Sequence, residues 1–355
     1  YSRIKMKQIS ADINGGKINI YIGSGLEDYI NNNIYGRNVS FVSKSLSGYR
    51  NKLKKIKSIK IYMHDGESIK DLRYLRFIVK KLIDLNIERS DTVSYIGGGT
   101  VGDLTGFASS VYKRGINLVA VPTTLLAQVD SSIGGKNAIN FSGIKNVIGT
   151  FYNPKYIFND TDFLLNSDKS LLNDGMAEII KMAIINDENF YNYLRNNNMD
   201  TIFNQNDLEN IIYKSNKIKL NIVSRDFFDK NKIRYLLNFG HTVGHAIESF
   251  TSNDVSHGTA IANGMLAENY IAYKMGLSEN FYDEIITILE NYRIPLLNFK
   301  NFDPDIIIKY ILNDKKMESG KINLIVLDRI GKSHTEAVEV SEIKRYFSEF
   351  LEVKK

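Results

Sequence analysis

The residues with the most chemistry in them lie close together in the chain. Asn238 to His257 reads NFGHTVGHAIESFTSNDVSH and holds three of the five histidines, His241, His245 and His257. His241 and His245 are four apart, which on a helix puts both imidazoles on one face, a turn apart. Gly240 and Gly244 each precede a histidine, so the backbone there can be approached closely. Two histidines on a helix face with a third nearby are a common way to hold zinc with one coordination position open. The same residues would also serve as ordinary polar groups on an amphipathic helix, and the pattern alone leaves both readings standing.

Other stretches carry anion-binding chemistry. Ile96-Gly97-Gly98-Gly99-Thr100-Val101-Gly102-Asp103 follows a predicted strand and opens a predicted helix. Free amides at a helix N-terminus, with no Cβ in the way, suit a phosphate. The turn departs from the usual dinucleotide fold, because it follows about the fourth strand and no acid lies between Asp103 and Asp130. A purely structural glycine turn is the competing reading. Asp65-Gly66-Glu67-Ser68-Ile69-Lys70 ends another strand and is read as opening the first turn of the next helix, with a carboxylate and an ammonium there. Pro122 to Lys136 (PTTLLAQVDSSIGGK) and Gly143-Ile144-Lys145-Asn146 place two lysines on glycine-rich loops after a strand. That suits an anion, although surface loops would look the same. The first of them is not a Walker loop, since Asp130 and Asn137 stand where that motif needs Gly and Ser or Thr.

These groups need a scaffold. Strands are predicted at Lys17–Gly23, Val39–Ser43, Ile59–His64, Thr92–Ile96 and Leu118–Val121, with a helical period over 68–86. Strands alternating with helices imply an α/β domain with a mainly parallel, Rossmann-like sheet, whose ligands sit at the carboxyl ends of the strands. From about Phe163 the period becomes helical, with helices at Gly175–Asn186, Asp207–Val223, Thr242–Phe250, Thr259–Met275 and Glu279–Asn291. Pro295 and Pro304 punctuate the end, and Lys321–Val340 reads as a hairpin turning at 329–332. The division expected is an α/β domain over 1–158 and a mainly α-helical domain over 159–355.

Composition narrows the function. The 355 residues are 43% hydrophobic, which is globular, and include no cysteine. Thiolate metal sites, disulfides and a cysteine nucleophile are therefore excluded, and any metal must use His and carboxylates. No apolar run approaches the roughly 18 residues that span a bilayer, and no signal-peptide pattern opens the sequence. A cytoplasmic enzyme with no membrane partner is expected. The net charge is +6, concentrated in runs such as Lys52–Lys60 (KLKKIKSIK). No nucleic-acid fingerprint accompanies it, so a solvated face or an anionic small substrate fits better.

Taken together, the sequence resembles the 3-dehydroquinate synthase family of sugar-phosphate cyclases over roughly 65–340. The segments that carry the likeness are DGESIK at 65–70, GGGTVGDLTGFA at 97–108, YKRG at 112–115, VPTTLLAQVDSSIGGK at 121–136, GIKNVIGTFYNP at 143–154, GMAEIIK at 175–181, LLNFGHTVGHAIE at 236–248, HGTAIANGM at 257–265 and NDKK at 313–316. Other sugar-phosphate cyclases, and more distantly the glycerol dehydrogenases, share part of this pattern. The resemblance implies Zn²⁺ (or Co²⁺) on Glu178, His241 and His257, with His245 facing the substrate phosphate instead. It implies NAD along Asp65, Gly66, Glu67, Lys70, Gly98, Gly99, Gly102, Asp103, Thr123 and Thr124, with Lys136, Lys145 and Asn166 near its other end. It implies substrate contacts from Asp130, Lys136, Asn146, Lys181, Lys219, Arg234, Asn238, His245 and one or both of Lys315 and Lys316. Arg114 matches an arginine that enters the partner's site, which implies a homodimer.

The reaction so implied converts 3-deoxy-D-arabino-heptulosonate 7-phosphate to 3-dehydroquinate and phosphate, a step of the shikimate pathway to aromatic amino acids. A secondary hydroxyl is oxidised by NAD, the new ketone acidifies the neighbouring C–H, phosphate is eliminated, and the hydride returns before an aldol step closes the ring. The alternatives are another sugar-phosphate cyclase or a metal-dependent NAD(P) polyol dehydrogenase. The phosphate and carboxylate of the heptulosonate call for cations such as Lys136, Lys181, Lys219, Arg234, Lys315 and Lys316, which a small uncharged polyol would not.

Several positions depart from the family. Asn137 and Asn166 replace threonines, and Lys219 needs a one-residue insertion before His241. After the second predicted strand the family carries an acid for the adenosine ribose, whereas Ser43 and Lys44 stand here. Lys44→Ala should therefore weaken NADP binding more than NAD binding. Equal effects on the two nucleotides would mean that Lys44 does not touch the ribose.

Overall fold

The computed structural model describes residues 6–165, 167, 169–252, 254–313, 317–318 and 320–353. The chain packs as two compact units, Tyr1–Leu172 with Asn204–Leu220, and Asn173–Phe203 with Asn221–Lys355.

The first unit is built on a seven-stranded sheet. Its strands are β1 (Lys7–Ile13), β2 (Gly16–Gly23), β3 (Asn38–Ser43), β4 (Ile59–Met63), β5 (Thr92–Gly97), β6 (Asn117–Pro122) and, after the hairpin strands β7 (Lys136–Phe141) and β8 (Ile144–Phe151), β9 (Tyr156–Asp160). The order across the sheet is β1-β2-β9-β6-β5-β3-β4. All neighbours are parallel except β1 and β2. β3, β5 and β9 are buried at every residue, as strands covered on both faces must be. Val42, Ile96, Val119, Val121 and Phe158 form part of the core on one face.

Two hairpins depart from the sequence expectation. β1 joins β2 through Asn14-Gly15, both at positive φ (51° and 74°), the backbone that a two-residue turn between twisted strands needs. β7 and β8 pair through Ser142-Gly143, at φ 51° and 79°. Lys136 and Lys145 are thus strand residues of a hairpin rather than residues of two loops.

The helical period predicted over 68–86 also starts later. Glu67–Ile69 is a single 3-10 turn, and the helix proper is Leu72–Asp84, capped by the Asp71 side chain on the Arg73 and Tyr74 amides.

The second unit is mainly helical. Its principal helices are Lys169–Asn186, His241–Phe250, His257–Lys274, Tyr282–Asn291, Pro304–Asn313 and Val340–Val353, beside an antiparallel ribbon of Lys321–Arg329 and Lys332–Glu339. Pro304 starts a helix instead of ending one, a place where its missing N–H costs nothing. His257–Lys274 is the central helix, buried at every residue from Gly258 to Asn269. Val243, Ile247, Ile271, Ile307 and Phe347 pack in the same core, and each buried aliphatic side chain of this kind is worth about 1.5–3 kcal/mol. No helix among the described residues is long and apolar enough to cross a membrane.

The two histidine-bearing helices touch through glycine. A Cβ at Gly264 would stand 2.0 Å from the Gly240 carbonyl oxygen and 2.8 Å from the Gly244 nitrogen. Both neighbours are backbone and cannot swing away. Gly264→Ala should therefore lower the unfolding free energy by about 1–3 kcal/mol, read as a fall in the melting temperature. An unchanged melt would contradict this contact.

Candidate active site

In the second unit three helices converge on one point. Glu178 lies in the middle of Lys169–Asn186, while His241 and His257 open the next two helices of the site. One ligand atom from each of the three lies within 4.8 Å of the others. The Nε2 atoms of His241 and His257 are both 3.5 Å from Glu178 Oε1. Each histidine commits its other nitrogen elsewhere: His241 Nδ1 is 3.2 Å from the Phe239 carbonyl oxygen, and His257 Nδ1 is 3.3 Å from Glu248 Oε1. That is the arrangement by which outer partners orient metal-binding imidazoles.

The electrostatics agree. Burial alone would lower the His257 imidazole, but Glu178 and Glu248 on either side raise it to about 10. The carboxylates call for a cation between them, whether a proton or a metal. His245 shares the helix face, its ring 5.1 Å from that of His241, but is not one of the grouped donors.

Two buried cations belong to the same unit. Lys181 is 1% exposed and its ammonium is paired with Glu178. Arg234 is buried and donates from its guanidinium to the Phe227 carbonyl at 3.0 Å. Asp226 shapes the loop that leads to it by accepting the amides of Lys230, Asn231 and Arg234 at 2.9, 3.1 and 3.2 Å. Those bonds hold the Asp226 carboxyl below its ordinary range against the opposing effect of burial. Asn238 ends the 3-10 turn Arg234–Asn238 just before Gly240. Lys315, Lys316 and Asn166 lie outside the described residues.

In the first unit, the glycine turn sits at the carboxyl end of β5, and Gly98 occupies the cap position of helix Gly99–Val111. Glycine offers no capping side chain, so the first amides face outward for an anion. A Cβ on Gly99 would meet Ser131 Oγ at 2.8 Å, and one on Gly98 would meet the Thr124 methyl at 3.4 Å. The Thr123 amide donates to the Gly97 carbonyl at 3.0 Å, which seats Thr123 and Thr124 beside the turn.

Lys70 is buried and turns inward, donating to Asp103 at 2.8 Å and also to Asn146. It does not lie on a helix's exposed first turn as the spacing predicts. Asn140 ties the hairpin to this group by donating to Glu67 at 2.9 Å and accepting the Asn146 amide at 2.9 Å. Asp103, Lys136, Asn137 and Asn146 line a cavity of about 350 Å³, while Lys145 is exposed on β8. Asp130 and Lys219 form an ion pair, and Lys219 also donates to the Asp130 carbonyl at 2.7 Å. Arg114 follows helix Gly99–Val111 on a turn where Lys113 and Arg114 take φ of 48° and 62°.

At the tip of β3, Asp65 accepts from the Ser43 hydroxyl and from the Ser45 amide at 3.2 Å. Lys44 pairs with His64 Nε2 at 2.9 Å, beside a cavity of about 290 Å³ that Arg73, Tyr74 and Phe77 also line.

Sequence reasoning missed Glu248, Asp226 and Asn140. Glu248 had a signal, since it is seven residues after His241 and so shares its helix face. The other two act through loop and hairpin backbone, which the residue pattern does not reveal.

Burial pushes the Asp103 carboxyl up to about 6, aided by the charges of Glu67 and Asp130 and opposed by Lys70. A folded pKa above the unfolded one favours folding at low pH, and that contribution is lost as pH rises through the folded value. Between about pH 4 and 7, without nucleotide, the parent should lose on the order of 1–3 kcal/mol relative to Asp103→Asn. Melting curves across that range would check it, and a pH-independent gap between the two proteins would refute it.

Comparison with known proteins agrees with this geometry. The 3-dehydroquinate synthase N-terminal family model matches residues 60–173, and the C-terminal family model matches 175–317. The 3-dehydroquinate synthase of Picrophilus torridus is 48% identical over 309 residues, covering 87% of this chain and 89% of that protein. That of Sulfurisphaera tokodaii is 38% identical over 353 residues, covering 98% of this chain and all of its own (100%). Among solved structures, 2-deoxy-scyllo-inosose synthase complexed with carbaglucose-6-phosphate, NAD⁺ and Co²⁺ superposes with a TM-score of 0.85 at 26% identity, covering 97% of this chain and 99% of that one. With its metal-type donor triad, its glycine-turn sheet and both family models matched in order, this chain belongs to the 3-dehydroquinate synthase family.

Proposed function

We propose that the chain is a cytoplasmic, homodimeric lyase that converts 3-deoxy-D-arabino-heptulosonate 7-phosphate to 3-dehydroquinate and phosphate, using NAD and a divalent metal. The observation that carries this reading is the Glu178–His241–His257 donor set with Lys181 packed against it.

The donors fit the metal. Two imidazole Nε2 atoms and one carboxylate oxygen suit Zn²⁺ or Co²⁺ and leave room for substrate oxygens. The glycine turn suits the dinucleotide, since helix Gly99–Val111 opens with no side-chain cap on its first amides. When bound, the two supply Lewis acidity at a substrate hydroxyl and a reversible hydride acceptor.

The chain's own residues do the rest. Lys136, Lys181, Lys219 and Arg234 are the cations assigned to a substrate that carries both phosphate and carboxylate. Asp130 holds the Lys219 ammonium in place, and Asn146 is held by Lys70. Asn238 and His245 are assigned to the substrate as hydrogen-bonding groups, with His245 assigned to its phosphate. NAD is assigned to Asp65–Lys70, Gly99–Asp103, Thr123 and Thr124, with Lys136 and Lys145 near its other end. Arg114, raised on its left-handed turn, is assigned to the partner subunit's site.

The test follows the chemistry. Incubation with the heptulosonate phosphate and NAD should release inorganic phosphate with no net NADH, should stop on chelation, and should recover with Zn²⁺ or Co²⁺. Steady NADH production from glycerol without phosphate release would overturn the reading. Phosphate release confined to glucose 6-phosphate or sedoheptulose 7-phosphate would replace it with another cyclase.

A further inference from the structure

The buried stretch of helix His257–Lys274 from Gly258 to Asn269 contains one acid, Glu268, and it is 0% exposed. Its oxygens are spent on another helix. Oε2 accepts the Gly240 amide at 2.9 Å and Oε1 accepts the Val243 amide at 3.1 Å. These two residues bracket His241.

Gly240 holds the cap position of the His241 helix, where a side chain would ordinarily do this work. None fits there. Gly240 has φ 79°, and a Cβ would stand 2.5 Å from the Ile261 carbonyl oxygen. Glu268 therefore supplies from a neighbouring helix the cap that residue 240 cannot carry.

The same device recurs one helix on. Asp174 Oδ1, on the helix of Glu178, accepts the Gly258 amide at 2.7 Å, next to His257. The helix of Glu178 is thus tied to the helix of His257, and that helix to the helix of His241. Each tie is a carboxylate on a backbone amide adjoining a ligand histidine.

Stability alone is a weak reason for a fully buried carboxylate, because desolvation offsets much of what its partners return. A carboxylate is nevertheless the group that can accept from two converging amides. Gln would turn an NH₂ group toward one of them.

We infer that Glu268 and Asp174 are positioning residues: they set the relative placement of His241, His257 and Glu178, and through it the affinity and geometry of the metal. This rests on the reading of those three residues as metal ligands.

The test uses Co²⁺ as the probe, followed by its d–d absorption, in the full chain carrying Glu268→Gln or Asp174→Ala. Ile343→Ala, a core change in the same unit, serves as the control for stability loss. The expected result is Co²⁺ binding weakened about 10–100-fold with shifted d–d bands, while Ile343→Ala melts lower yet binds as the parent does. Asp174 is only half-buried, so its variant decides the matter if Glu268→Gln does not fold. Binding and spectra like the parent's in the folded variants would overturn the inference and leave both carboxylates as structural caps. A parent that binds no Co²⁺ would instead overturn the metal reading itself, and the inference with it.

Discussion

A carboxylate sealed from water needs compensating charge, and Glu178 is where the second unit meets that constraint. It is 0% exposed, with the Lys181 ammonium on one oxygen and the Nε2 atoms of His241 and His257 both 3.5 Å from the other. Leaving an ion of that size uncompensated in a low-dielectric interior costs several kcal/mol. Three helices must therefore deliver nitrogen donors to one place. The glycines at 240, 244 and 264 let two of those helices approach backbone to backbone, and acids on neighbouring helices accept the amides that such close packing leaves uncapped.

The first unit works under a different constraint, which is to leave amides available. β5 ends in glycine, the following helix begins without a side-chain cap of its own, and the threonines after β6 lie alongside. The β7–β8 hairpin is bonded to this edge through Asn140 and Asn146, and Lys70 fills the space beneath with its charge set against Asp103. Asn137 is a structural member of that group. Its amide donates to the Gly135 and Tyr152 carbonyls, both at 2.8 Å, and its oxygen occupies the space a side chain at Gly106 would need. The asparagine that stands in place of the family's threonine is thus hydrogen-bonded within the scaffold.

Much of this was legible in the sequence, and the reasons differ by element. The central strands announce themselves as short apolar runs because both of their faces are buried. The ribbon of Lys321–Arg329 and Lys332–Glu339 turns at 329–332, as its pattern indicates. β1 escapes because it alternates polar and half-buried positions at the sheet edge, although Asn14-Gly15 is itself a strong hairpin signal. The β7–β8 hairpin is masked by its glycine, asparagine and lysine content, which reads as loop. Of the site, the His241 and His245 spacing pointed to the right helix face but not to the right donors. Glu178 is more than sixty residues away in sequence, and only the family resemblance named it before the fold did. Glu268 and Asp174 act on backbone amides of other helices, and no local pattern encodes such a partnership.

The donor set is tested most directly by metal content. Purified chain and its Glu178→Ala, His241→Ala and His245→Ala variants would be dialysed against limiting Zn²⁺ and assayed for bound metal per folded chain. The parent and His245→Ala should each retain one equivalent, and the other two should retain almost none. Loss of zinc in His245→Ala, or full retention in Glu178→Ala, would contradict the account.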